Sequence, residues 1–211
     1  SDDGAHSWSA IEGVTPMTLL SVASNDAGIS LAVGQQGSLV RSEDRGLTWH
    51  TIDLAAAMRN VVAGGINETL VAVSFANPTT ALVATSNGAM LRSIDTGLTW
   101  QAVAGVTTPV TRFAFADARN GIAIGAAGLV IRTSNGGKTW TRVDSGVTTD
   151  LSAALFIDAM RVLVAGQDGV MIASDDGGSS WRTVPAWRAQ SNAPVAALIR
   201  GNDNGVTVIT R

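Results

Sequence analysis

Short apolar runs punctuate the chain at regular intervals, and each is bounded by Gly, Asn, Asp or Ser. TLLSVAS (18–24), GISLAVG (28–34) and GSLVRS (37–42) form a first set. ETLVAVSFA (68–76), TALVATS (80–86) and AMLRS (89–93) form a second. TRFAFAD (111–117), NGIAIGA (120–126) and LVIRTS (129–134) form a third, and SAALFID (152–158), MRVLVAG (160–166) and GVMIAS (169–174) a fourth. The runs are short, rich in β-branched and apolar residues and closed by turn formers, so each reads as a β-strand. A strand opening on a tryptophan follows each set, which makes four strands per unit.

The tryptophans that close the units lie at 8, 49, 100, 140 and 181, with gaps of 41, 51, 40 and 41. One phrase precedes each of them: SDDGAHSW (1–8), SEDRGLTW (42–49), SIDTGLTW (93–100), TSNGGKTW (133–140) and SDDGGSSW (174–181). A period near 41 filled with strands predicts propeller blades. The phrase resembles the Asp-box, or BNR, repeat. The carboxylates of Asp3, Asp44, Asp95 and Asp176 are suited to accept backbone N–H bonds within their own turn. Gly46, Gly97, Gly137 and Gly178 allow positive φ there. Trp8, Trp49, Trp100, Trp140 and Trp181 offer apolar surface to a neighbouring blade. Asn135 replaces Asp in the fourth copy, and Ala5 holds the glycine slot of the first. The box therefore reads as a hairpin staple and not as a catalytic or calcium site.

The pattern predicts an all-β fold, a single propeller domain over 1–211 with about five four-stranded blades. PVAALIRG (194–201) and NGVTVITR (204–211) supply the first two strands of a last blade, and the N-terminus supplies its box and outermost strand. The ring is expected to close through the two chain ends, although no third strand for that blade is evident. The one long gap holds LAAAMRNVVAGGIN (54–67), an insertion between the first and second blades, read as a surface loop or one or two helical turns.

Composition narrows the function. There is no cysteine, which excludes disulfides and thiolate metal sites, and the only histidines are His6 and His50. Neither metal nor cofactor is expected. A net charge of −3 argues against nucleic acid as a partner. No apolar run approaches the roughly 20 residues that span a bilayer. The start at Ser1 is read as a trimmed or mature form, with a signal peptide removed and a periplasmic or secreted location.

Asp-box propellers occur in several functional classes, so the fold does not choose among them. Sialidase chemistry uses a tyrosine nucleophile, and this chain has no tyrosine. An Asp-box glycosidase would need two facing carboxylates, with Glu12, Glu68, Asp144, Asp150 and Asp168 as candidates. Asp26, Asp117, Asp158 and Asp203 fall at equivalent turns between the first two strands of a blade, where a structural role explains them. Serine hydrolysis lacks a nucleophile elbow.

GQQGSLVRSEDRGLTW (34–49), GAAGLVIRTSNGGKTW (125–140) and GQDGVMIASDDGGSSW (166–181) resemble the repeats of the photosystem II stability/assembly factor-like family over essentially the whole chain. That resemblance implies a non-catalytic protein that assists assembly of membrane proteins on the lumenal or periplasmic side. The photosynthetic factors resemble seven-bladed rings, whereas this chain holds five units.

Arg41, Arg92 and Arg132 recur just before the box, with Ala173 breaking the series. They read either as strand-end cations bonding local carbonyls or as a charged row for an acidic partner, resembling the arginine patch of the assembly factors. Gln36, Asp168, Arg59, Trp187 and Arg188 are placed on the loop face opposite the boxes. Trp187 and Arg188 are candidate interface anchors, since Trp and Arg are enriched at hot spots. The function read from the sequence is a non-catalytic scaffold that binds a protein and assists assembly or stability of a membrane-associated complex. The alternative is a carbohydrate-binding or glycoside-hydrolase-like module.

Overall fold

A computed structural model describes residues 6–7, 11, 14–57, 68–185, 193–201 and 205–210. Four antiparallel sheets of four strands follow one another along the chain. The first holds β1 (Leu19–Ser24), β2 (Ser30–Gly34), β3 (Leu39–Ser42) and β4 (His50–Thr51). The second holds β5 (Leu70–Phe75), β6 (Ala81–Thr85), β7 (Met90–Ser93) and β8 (Gln101–Ala102). The third holds β9 (Val110–Phe115), β10 (Gly121–Gly125), β11 (Val130–Thr133) and β12 (Thr141–Val143). The fourth holds β13 (Leu151–Phe156), β14 (Val162–Gly166), β15 (Met171–Ser174) and β16 (Arg182–Thr183). A fifth sheet pairs β17 (Val195–Arg200) with β18 (Val206–Thr210).

The innermost strands β1, β5, β9, β13 and β17 pack side by side in that order, which makes the sheets blades of a propeller. Register recurs from blade to blade. Ser24 faces Ser30, Phe75 faces Ala81, Phe115 faces Gly121 and Phe156 faces Val162 at the ends of equivalent hairpins. The second strand of each of the first three blades is buried throughout, because it is covered on both faces. Its composition is accordingly a continuous apolar run.

The cores lie between blades. Leu31, Val33 and Leu39 of the first meet Leu70, Val83, Leu91 and Trp100 of the second. Phe113 and Ile131 of the third meet Leu82 and Met90 of the second, with Trp140 packed against them. Trp181 of the fourth packs on the cluster of Ile122, Ile124, Val130 and Val164. Trp100, Trp140 and Trp181 thus each face the preceding blade. Trp49 has no preceding blade among the described residues and lies half-buried. It lines a groove of about 660 Å³ with Ile11, Val14, Met17, Leu20, Val22 and Ala32. Exposed apolar side chains include Leu20 and Val22 on β1 and Ile199 and Ile209 on the last sheet, besides Leu47, Ile94, Leu98 and Met160 on turns.

Two expectations fall partly outside the described residues. Asp3 and Trp8, the box meant to complete the fifth blade, are not among them, and that blade shows two strands there. Of the 54–67 insertion, Leu54–Ala57 forms one helical turn, α1. The Asp53 carboxylate caps it by accepting from Ala56 N at 3.1 Å, and Leu54 anchors it in the first core. The remainder, with Arg59, lies outside the described residues.

Candidate protein-binding surface

Each box builds its turn from side chains. Asp44 Oδ1 accepts from Thr48 N at 2.8 Å and from Ser42 Oγ at 2.7 Å, and Asp44 Oδ2 accepts from Thr48 Oγ1 at 2.5 Å. Gly46 N donates to Ser42 Oγ, and Trp49 Nε1 to Gly46 O. Asp95 and Asp176 repeat the arrangement with Thr99 and Ser180. Donation from the Thr48 hydroxyl, with the Thr48 N–H and Ser42, holds the Asp44 carboxyl at about 2. The Ser180 and Ser174 hydroxyls do the same for Asp176, also at about 2.

The third blade differs. Asn135 Oδ1 accepts from Thr139 N at 3.0 Å, which fixes the amide orientation, and its Nδ2 donates to Thr139 Oγ1 at 2.8 Å. The bond between the side chains at the third and seventh positions of the box is reversed. In the other three described boxes the hydroxyl donates a hydrogen bond to the carboxylate; here it accepts one from the amide.

The recurring arginines act between blades. Arg41 Nε donates to Thr96 O at 2.9 Å and its Nη2 to Thr96 Oγ1. Arg92 Nε donates to Gly136 O at 2.7 Å, and Arg132 Nε to Gly177 O at 2.8 Å. Each acceptor belongs to the box turn of the following blade. Arg41 also pairs with Glu43, two residues on, and that guanidinium holds the Glu43 carboxyl below the ordinary range. In the fourth blade Ala173 occupies the arginine position, yet Asp175 at the Glu43 position pairs with Arg182 from the adjoining strand, Nη2 to Oδ2 at 3.1 Å. In the third blade the same position is Ser134.

Segments that enter a blade are bonded to the turns between the second and third strands of the blade before it. Gly37 N donates to Glu68 O, Gly128 N to Thr149 O, and Ala127 N to Asp150 Oδ1 at 2.9 Å. Gln36 and Asp168 lie in these turns, both exposed and both at φ +54. Ala127 shares that conformation at φ +52. Because an alanine adopts it too, the strain is a property of the turn and does not mark Gln36 or Asp168 as functional. A cavity of about 380 Å³ opens beside the fourth blade, lined by Val147, Thr149, Met171, Thr183, Val184 and Pro185 among others. Trp187 and Arg188 lie outside the described residues.

Among the glycosidase candidates, Asp150 is engaged by the Ala127 amide, Asp144 accepts from Gly146 N, and Glu68 from Ser86 Oγ. Asp117 and Asp158 close their hairpin turns by accepting two backbone N–H bonds each, as Asn77 does in the second blade. In the first blade Asn25, and not Asp26, closes the turn by accepting from Ile29 N. Among the described residues no three His, Asp or Glu side chains gather where a metal ion could sit. None of the described helices is long and apolar enough to cross a membrane.

By sequence, the profile of the family described as "Photosynthesis system II assembly factor YCF48" matches residues 53–146 and 104–210. Among curated proteins no sequence matches the chain. By structure, YCF48 from Cyanidioschyzon merolae superposes with a TM-score of 0.72 at 20% identity, over 99% of this chain and 72% of that one. A structure of YCF48 bound to D1 peptide gives 0.51 at 14% identity, over 93% and 91%. The GH74 xyloglucanase from Xanthomonas campestris gives 0.66 at 19%, over 88% of this chain and 34% of the enzyme. At these identities the structural likeness establishes the propeller fold.

Proposed function

The chain belongs to the photosynthesis system II assembly factor YCF48 family, and on that premise we propose that it is a non-catalytic scaffold that binds a polypeptide and assists a membrane-associated complex to assemble or persist. The observation that carries this is the family profile, whose two matches together run from 53 to 210. One protein of the YCF48 name is solved with a D1 peptide bound, so a polypeptide is a ligand class this fold accommodates there. The same class is proposed here, with the protein acting in the periplasm or as a secreted protein.

The second reading, a carbohydrate-binding or glycan-processing module, draws on the fold shared with the xyloglucanase. One experiment separates the two. A photo-cross-linking residue is placed at Gln36 or Asp168 on the loop face, or at Met160 on the turn face, and the protein is irradiated in cells of its source. Covalent capture of a membrane protein or its subunit supports the scaffold. Capture of no protein from any position, together with binding or hydrolysis of a β-glucan by the purified chain, replaces it with the carbohydrate reading.

A further inference from the structure

Four Asn–Gly pairs occur in the chain, at 87–88, 120–121, 135–136 and 204–205, and the last lies partly outside the described residues. An asparagine followed by glycine is open to one intramolecular reaction, because no side chain keeps the next backbone nitrogen from the carboxamide carbon. The three described pairs are built differently.

Asn135 holds the place that Asp44, Asp95 and Asp176 hold in the other described boxes. Its Oδ1 accepts two hydrogen bonds at 3.0 Å, from the Thr133 hydroxyl and from Thr139 N. Both donors stay in reach when the carboxamide carbon becomes tetrahedral and its oxygen gathers negative charge. They also suit the carboxylate that results. The same two donors, supplied by Ser42 and Thr48, favour the ionised form of Asp44. Thr139 Oγ1, which accepts from Asn135 Nδ2 at 2.8 Å, would turn and donate to the second carboxylate oxygen, as Thr48, Thr99 and Ser180 do. Ser134 and Thr139 are exposed and Asn135 is half-buried, so water reaches the turn. One bond restrains the reaction: Gly136 N donates to Arg119 O at 2.9 Å, and that bond must open first.

The other two pairs lack part of this. Asn120 donates its Nδ2 to both oxygens of Asp117, whose charge opposes a second anion beside it. Asn87 Oδ1 accepts from the Thr85 hydroxyl and Ala89 N, but among the described residues no hydroxyl accepts from its Nδ2 and stands ready for a second carboxylate oxygen.

We infer that Asn135 is a site of spontaneous deamidation in the folded protein, and that the reaction yields normal aspartate and so completes the third box. Gly136 N loses its proton and bonds to Asn135 Cγ, and Nδ2 leaves as ammonia. Water then adds to Cγ of the cyclic imide, the bond to Gly136 N breaks, and that nitrogen regains a proton. Net, one water is consumed, and one carboxylate and one ammonium ion are formed. Attack of water at the other imide carbonyl would give isoaspartate, with an extra backbone atom directly before Gly136, whose carbonyl Arg92 holds. The two donors polarise Cγ and not that carbonyl, which directs the opening to aspartate.

The test incubates the full chain, folded, in mildly alkaline buffer beside the same chain in denaturant. Peptide mass mapping reads conversion at each pair, and an endoprotease that cuts at aspartate but not at isoaspartate reads the product. In the folded chain Asn135 is expected to convert mainly to aspartate and faster than Asn120, whereas isoaspartate should predominate in denaturant. Tm should climb with conversion toward that of Asn135→Asp. Gly136→Thr should slow conversion at Asn135 several-fold, and it suits the turn because Thr96 holds that place in the second blade at φ +61. No conversion at Asn135 in the folded chain while the denatured chain converts, isoaspartate as the main folded product, or an unchanged rate in Gly136→Thr would each overturn the site.

Discussion

Arg92 Nε donates to the carbonyl oxygen of Gly136 at 2.7 Å, so a side chain of the second blade closes a hydrogen bond on the box turn of the third. Arg41 and Arg132 repeat the relationship at the junctions on either side. Apolar side chains fill the cores between blades, and an apolar face alone tolerates sliding. A directional bond from a charged donor to one carbonyl of a fixed turn sets the register of neighbouring blades.

Arg92→Ala is therefore expected to destabilise the fold by about 1–2 kcal/mol, the worth of a charge-assisted hydrogen bond that is partly shielded from water. For a chain of this size each kcal/mol lowers Tm by about 2–4 °C. Arg92→Lys should recover little, since lysine lacks the Nε–H that reaches Gly136 O. Thermal unfolding followed by circular dichroism checks both.

Gly137 separates steric clash from backbone strain. Its φ is +77, and a Cβ there would lie 2.4 Å from Leu82 Cδ2. Gly105 has φ +78 with nothing within 4 Å. Gly105→Ala is expected to cost about 1 kcal/mol from the left-handed conformation alone. Gly137→Ala adds the displacement of Leu82 from a packed core and should cost about 1–3 kcal/mol more. Equal losses in chemical denaturation would contradict the close approach of box turn and neighbouring blade.

The box tryptophans should not be equivalent. Trp100 is 1% exposed and lies in the core between the first two blades. Trp100→Ala is expected to cost about 3–5 kcal/mol. Trp49 is half-buried and borders the groove beside β1, and should cost distinctly less on the same substitution. Matching losses would mean that a further packing partner covers Trp49.

Acid should weaken the boxes in a defined window. Asp44 and Asp176 sit at about 2 in the folded protein, against an ordinary 3.8, because hydroxyl and backbone donors favour the carboxylate. A folded value below the unfolded one contributes stability above the unfolded value, and that contribution is lost as pH falls through the folded one. Tm is expected to hold from neutral pH down to about 5 and to fall between about 4 and 2. Asp44→Asn should flatten that fall. Asn135→Asp should raise Tm at neutral pH, leave it unchanged near pH 2, and steepen the acid limb. A Tm series across pH for the three proteins decides it.

Much of the fold was legible in the sequence because strand runs and box turns repeat with little noise. The box residues Asp44, Asp95, Asn135 and Asp176 could be assigned to turns from spacing, since a short side chain bonding four residues ahead is a local event. The target of the arginines was not legible. A period of two tells which face of a strand a side chain takes, but not that Arg92 reaches a turn 44 residues on. Asn25 displaced Asp26 as the turn-closing residue because neighbouring Asx side chains compete for the same N–H groups within one hairpin.

The central claim is that this propeller works by holding a polypeptide and not by cleaving a glycan. The most direct measurement is affinity capture with the purified chain from detergent-solubilised membranes of the source organism, with β-glucan hydrolysis assayed on the same preparation. The account predicts a membrane protein recovered in a stable ratio to the chain and no sugar released. Sugar released without a recovered protein would contradict it.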